Sequence, residues 1–394
     1  MKPILKVIFW FAGIILTLIL LLYIFNVDYL IKAVRTVYFN GHKTAFLDDY
    51  QYFENRTIAN GVDQPWAFSA DYNKIPAPKK LQDLHKQIGT VAFLVIKNDS
   101  IFHESYYDGY DKDSKSNSFS IAKSVVSAAL GKAIMEGKIK GLDQKVSDFF
   151  PQFKKGHSIA MTVGDLSSMA SGLNWVEDYY SPFSITTRAY FDEDLNSVIL
   201  GLKGIDPPGK TYKYLSGNTQ LLAMVIEKAT GQSLANYVSQ KFWKALGADN
   251  KALWQTDHED GIVKAYCCIA AGPRDFARFG KLYKQYGRWN GQQILDSAFI
   301  VKSIAPRFPE SPQYGFGWWL SDYKGKDIFY MRGHLGQYVI VIPEDDIIIV
   351  RLGNHMIRSS SGSPHSDDFF IYIDEVYKML ANRKYTKATL EYTP

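Results

Sequence analysis

The chain of 394 residues holds only two cysteines, Cys267 and Cys268, and they are neighbours. Adjacency makes a mutual disulfide sterically awkward, and two thiolates alone cannot complete a metal site. The expectation is a pair of small buried thiols in the small-residue stretch 265–271. No Lys/Arg run with interleaved aromatics is present, and the formal charge of +5 is spread along the chain, so nucleic acid is not an expected partner. No His pair stands at ligand spacing, so a metal-dependent hydrolase finds no support and no metal or cofactor is implied. Repeats and low-complexity tracts are missing as well.

What is present is bulk and aromaticity. The length allows a large core, in one domain or two intimately packed ones. With 26 Tyr and 24 Phe the aromatic share reaches 15%, which suits a ring-lined cleft or simply bulky packing. Near the start, Val7 to Phe25 is uninterrupted apolar sequence, and at about 1.5 Å per residue a helix of that length nearly matches a hydrocarbon core of about 30 Å. Lys2 and Lys6 precede it, and no small-x-small cleavage site or lipid-accepting Cys follows. The reading is a short tail over residues 1–6 and an uncleaved single-pass anchor over 7–25 that makes the membrane a partner. Lys32 and Arg35 lie beyond it, and the catalytic part is expected to face away from the cytoplasm, in the periplasm or at the cell surface.

Residues 26–84 read as a leading stalk that wraps onto the main domain, with a short helix over Tyr29 to Phe39 and Ile75-Pro76-Ala77-Pro78 near its end. A hairpin follows, Thr90 to Lys97 and Ile101 to Tyr107 around Asn98-Asp99-Ser100. From Ser120 to about Tyr286 the apolar spacings are helical, as in SIAKSVVSAALGKAIMEG and GNTQLLAMVIEKAT. Strand character returns at Asp327 to Met331, Tyr338 to Pro343 and Ile347 to Leu352, and an amphipathic helix closes over Phe369 to Leu380. This order predicts an α+β domain over 85–394. Its antiparallel sheet is built from both ends of the chain and flanked by helices, and it carries a mostly helical insertion over about 120–300.

In Ser120-Ile121-Ala122-Lys123, a helix opening at Ser120 places Lys123 one turn on, with its amine within reach of the hydroxyl. The helix N-terminus adds a positive dipole end that favours a developing oxyanion. Ser321-Asp322-Tyr323-Lys324 has the same form but no helix behind it, and is a chance match.

Several ordered stretches surround the first tetrad: LDQKVSDFFPQF, MTVGDLSSMASGLNW, PPGKTYKYLSGNTQLLAMVIEKATG, RDFARFGKLY, YGFGWWL and GHLGQ. With S-x-x-K at their head, they resemble the class C β-lactamase, DD-peptidase and serine esterase superfamily. The branch they resemble most is that of the 6-aminohexanoate-dimer hydrolases, over roughly 85–385. The resemblance implies Ser120 as nucleophile with Lys123 and Tyr214 as its general base/acid pair, the Lys123 cation helping the Tyr214 phenol, of ordinary pKa about 10, to act as base. Tyr179-Tyr180-Ser181 and Tyr237-Val238-Ser239 match the Tyr-x-Ser pattern too, but only Tyr214-Leu215-Ser216 follows a Pro-Gly turn and opens the helix of the family motif.

At the family's Lys-Thr-Gly position stands His334-Leu335-Gly336, followed by Gln337. Gly336 lets substrate backbone approach, and the amide of Gln337 pairs with that of Ser120 as an oxyanion hole. His for Lys removes a permanent cation, and the resemblance implies, because superfamily members with His-x-Gly tend to be esterases or amidases, esters or amides rather than efficient β-lactam turnover. Ser216, His334, Gly336, Tyr179 and Tyr180 are the expected substrate-binding residues, while Asp165 and Trp175 read as structural. Three functions compete: a serine hydrolase of a small or peptide-like ester or amide, a penicillin-binding peptidase, transpeptidase or weak β-lactamase, and a non-catalytic sensor that keeps the fold. The retained Ser120, Lys123 and Tyr214 favour the first two.

Overall fold

Thr90–Lys97, Gln337–Ile342 and Ile347–Gly353 are apolar at nearly every position, which a strand requires when both its faces are covered. In the computed structural model, which describes residues 3–391 and side chains to Asn382, they are adjoining strands of one sheet. Met1, Lys2 and residues 392–394, the outer ends of the expected tail and domain, lie outside the described residues. The seven strands run in the order Trp319–Ser321, Ile328–Gly333, Gln337–Ile342, Ile347–Gly353, Thr90–Lys97, Ser100–Tyr106, Ala67–Phe68. All pairs are antiparallel except the last, where Ala67 and Phe68 lie parallel to Ser100 and Ile101. The two ends of the chain thus meet in the pairing of Ile347–Gly353 with Thr90–Lys97.

Alternation along the strands divides the core. Ala92, Leu94 and Ile96 join Val339, Val341, Ile348 and Val350 on one face, against Phe276 and Phe279 of the helix Pro273–Lys284 and Val125 of Ile121–Met135. Phe93 and Val95 join Tyr338, Ile340 and Ile349 on the other, under the helices Lys79–Gln87 and Asp367–Glu391.

The expected helical insertion contributes strands to a second sheet, which segments before it complete. Asn55–Ile58, Ala252–Gln255, Ile269–Ala271 and Ser116–Asn117 form four short strands, and Arg288–Trp289 pairs with Gln292–Gln293. Runs of two to four residues are too short to show a period, and their partners are distant in sequence.

Residues 26–84 are woven into this body. The helix Tyr29–Thr36 buries Tyr29, Ala33 and Thr36, Asp49 is fully buried, and Asn55–Ile58 pairs with Ala252–Gln255. Before them the helix Pro3–Ile24 buries no side chain; its 22 residues rise about 33 Å, a length and composition that suit a membrane anchor or a signal sequence. One expectation fails in the small-residue stretch: Cys267 and Cys268 are both buried but joined as a disulfide rather than left as thiols. They sit in a turn with Cys268 at φ 76°, a conformation that adjacency in sequence does not reveal.

Candidate active site

Three strained or tightly held turns converge on Ser120. The first is its own. Phe119, although not glycine, has φ 46°, and Ser120 caps the helix Ile121–Met135. Distant residues hold this turn: Ser118 N–H donates to the Ile269 carbonyl at 2.7 Å, and Phe119 N–H to Asn117 Oδ1 at 2.9 Å. The Asn117 amide donates in turn to buried Asp49, which also accepts from Tyr190 and Gln255. Burial raises the pKa of Asp49, and those hydrogen bonds oppose the shift. A leading-segment carboxylate therefore supports the Ser120 turn.

Lys123 lies one helical turn on and is buried. Its Nζ donates to Ser120 Oγ and to the Tyr266 carbonyl, each at 2.8 Å. Desolvation lowers its pKa from the ordinary lysine value to about 8, against the pull of the Glu177 carboxylate. The same ammonium stands 5.0 Å from the centre of the Tyr214 ring. Burial first, and the Glu177 charge second, push the Tyr214 phenol well above its usual value, opposed by a hydrogen bond with Ser120. Tyr214 is thus un-ionised at neutral pH, and Lys123 is the group of the pair that titrates near it.

The second turn leads into the helix Ser216–Thr230 and is held by Glu177, a residue absent from the sequence-based candidates. Glu177 accepts from Ser216 N–H at 2.7 Å, Ser216 Oγ at 2.5 Å and Trp175 Nε1 at 2.8 Å, and also from the Tyr179 hydroxyl. The start of the helix Ser216–Thr230 is thereby bonded to the loop after Trp175, itself fully buried. The adjacent tyrosines separate: Tyr179 turns inward, its ring stacked 5.0 Å from His334, while Tyr180 is 63% exposed and accepts from Arg358 at 3.4 Å. Asp165 closes a capping box with Thr162 and pairs with Arg307.

The third turn carries His334, Leu335 at φ 62° and Gly336 at φ 81°. A Cβ on Gly336 would stand 2.8 Å from Arg351 Nη1, and one on Gly333 would collide with the Ser118 carbonyl, so the strand end comes directly against the Ser120 turn. Arg351, buried in its strand and absent from the sequence-based candidates, fixes this side: Nη1 donates to the carbonyls of Leu335, Gly336 and His355 at 2.9 Å, and Nη2 to that of Ile88. The Gln337 side chain bonds the His334 and Gly353 carbonyls, leaving its backbone as the part that can serve the cleft. His334 touches Phe119 edge-on at 5.5 Å, and its buried Nε2 has no partner among the described residues. Burial, with the Arg358 charge, lowers its pKa to about 4.

Ser120, Tyr179, Tyr180, Ser216 and His334 line one pocket, together with Cys267 and Tyr266. The family profile described as Beta-lactamase matches residues 58–366, which span both halves of the large sheet and all three turns. The chain belongs to the beta-lactamase family of serine hydrolases. The 6-aminohexanoate-dimer hydrolase of Paenarthrobacter ureafaciens is 25% identical to it over 302 residues, covering 70% of this chain and 76% of its own. The fold recurs in a Bacillus anthracis protein provisionally named a 6-aminohexanoate-dimer hydrolase, with TM-score 0.67 at 22% identity over 87% of this chain and 93% of that one. It recurs also in a family VIII carboxylesterase, with TM-score 0.61 at 15% identity, covering 80% and 99%.

Proposed function

We propose that this beta-lactamase-family protein is a membrane-anchored hydrolase of carboxylic esters or amides working through a Ser120 acyl-enzyme. The observation that carries the reading is Lys123 Nζ, 2.8 Å from Ser120 Oγ in a desolvated setting that lowers its pKa to about 8. An appreciable neutral fraction of the amine at pH 7 to 8 can accept the serine proton.

In this mechanism Ser120 Oγ attacks the substrate carbonyl carbon as its proton passes to Lys123. The amides of Ser120 and Gln337 face the oxyanion. Tyr214, held un-ionised by burial and by Glu177, gives its proton to the leaving alcohol or amine and is reprotonated by the Lys123 ammonium. Water then attacks the acyl carbonyl along the reverse proton path, releasing the acid and restoring Ser120. A neutral His334 offers a hydrogen bond rather than a cation, which favours uncharged esters and amides over substrates bound by a carboxylate. The apolar helix Pro3–Ile24 supports anchorage by its length and composition, and Lys2 and Lys6 ahead of it are the reason for proposing that the catalytic part lies outside the cytoplasm.

Incubating the protein with a p-nitrophenyl ester, a linear amide, nitrocefin and a D-Ala-D-Ala peptide, with intact-mass detection of an acyl adduct, tests the reading. The expected result is an adduct on Ser120 and turnover of ester or amide above the other two. Turnover confined to the peptide, or product appearing only with an amine acceptor, refutes hydrolysis in favour of peptidase or transpeptidase action.

A further inference from the structure

The pocket in front of Ser120 is covered by the chain that leaves the N-terminal apolar helix. That helix ends at Ile24, and Ala33 and Val37 already line the pocket beside Phe119 and Phe191. An extended stretch to Tyr29 followed by helical rise to Ala33 spans at most about 25 Å, so the pocket cannot stand far from the end of the apolar helix. The cover is fixed in place: Tyr29 donates to the Pro182 carbonyl at 3.1 Å and Lys32 to the Asp257 carbonyl at 3.0 Å. Two large rings that line the pocket are left in the open, Tyr38 at 61% and Tyr180 at 63% exposure. On the same two segments, one and three residues further along the chain, Phe39 and Phe183 are 78% and 71% exposed. Exposed rings on two segments that border the pocket, one of which follows a membrane-length helix in the chain, match the aromatic belt of a bilayer interface and are costly in water.

We propose that the Ser120 pocket takes a membrane-resident amphiphilic ester or amide. Its apolar part enters between Ala33, Val37, Phe119 and Phe191 while the aromatic rim rests in the bilayer interface. This deepens the function proposed above and rests on it, both for Ser120 as nucleophile and for Pro3–Ile24 as anchor. The bond cleaved and the proton path are unchanged; what is added is the phase from which substrate comes.

The test uses the full chain in phosphatidylcholine vesicles with two substrates, p-nitrophenyl acetate in the water and p-nitrophenyl palmitate dissolved in the bilayer. Wild type is expected to cleave both, and the F39S/F183S double variant to lose about tenfold on palmitate while acetate turnover stays within about twofold, since each ring removes apolar contact with the interface only. Retained acetate turnover also reports that the variant folds. Equal losses on both substrates, no loss on palmitate, or a wild type that cleaves acetate alone overturns the proposal. A chain extracted from the vesicles by alkaline carbonate refutes the anchor and this proposal with it. Acetate turnover that survives Ser120→Ala refutes the hydrolase reading instead.

Discussion

Two nitrogen bases, buried Lys123 and half-buried His334, stand on either side of Ser120, and desolvation leaves them in different states. On the helix side Lys123 keeps two acceptors and the field of Glu177, so its pKa falls only to about 8. On the strand side His334 has an Nε2 without a partner among the described residues, a carbonyl used by Gln337 and an opposing Arg358, and its pKa falls to about 4. Desolvation acts on both in the same sense; the difference lies in what opposes it. The helix side is therefore equipped to move protons near neutrality, whereas the strand side is a neutral, shape-determining wall held from behind by Arg351.

The strongest way to break this contrast is to remove the groups on the helix side. Ser120→Ala is expected to abolish turnover and fluorophosphonate labelling, while Ser321→Ala, whose Lys324 is paired with Asp374 away from the site, changes neither. Lys123→Ala should lower the acylation rate by about 10³ or more in stopped-flow measurements with an activated ester. In wild type the neutral amine is the working form, so acylation should rise about tenfold per pH unit below pH 8 and level off above it. A pH profile flat from 6 to 9 would place the base elsewhere. Tyr214→Phe comes next, with a loss of about 10² in both acylation and deacylation and little change in binding. Combined with Lys123→Ala it should be far less than additive, because the two groups pass one proton.

The sides also differ in how far the sequence revealed them. Ser120 and Lys123 share one helical turn, so their contact follows from spacing alone, and the strands of the large sheet announce themselves as apolar runs covered on both faces. Glu177 was hidden in NWVEDYY, where an acidic residue between aromatics looks like ordinary loop; only the fold shows Ser216, Trp175 and Tyr179 all donating to it. Arg351 sits inside IIIVRLG, an apolar strand in which one charge reads as an edge feature, yet it is fully buried. Asp49 lies in a segment with no clear period, and its partners Asn117, Tyr190 and Gln255 are far away in sequence. Spacing shows contacts within one element; these three residues act between elements.

On the strand side Arg351→Met is expected to act through structure. It removes four hydrogen bonds to carbonyls, those to Gly336 and Ile88 buried and those to Leu335 and His355 partly so, and unfolding by urea should show a loss of about 2–4 kcal/mol. The turn over His334 to Gly336 should loosen with it, lowering kcat/KM by about tenfold. The reactivity of Ser120 toward a small fluorophosphonate should change much less, because the Lys123 contact lies on the other side. A variant in which labelling and ester turnover fall together would mean that the two sides are not separable.

His334→Asn should give the smallest effect and the sharpest discrimination. With its pKa near 4, His334 is already neutral at pH 6 and above, so it contributes no titration to the profile governed by Lys123. Asparagine keeps a hydrogen-bonding group and removes only the ring that stacks on Tyr179 and meets Phe119 edge-on. KM for an ester should therefore rise a few fold, within about 1 kcal/mol of lost stacking contact, while kcat and its inflection near pH 8 remain. If the inflection moved or vanished in His334→Asn, the titrating base would be the histidine, and the division of labour between the two sides of the cleft would have to be reversed.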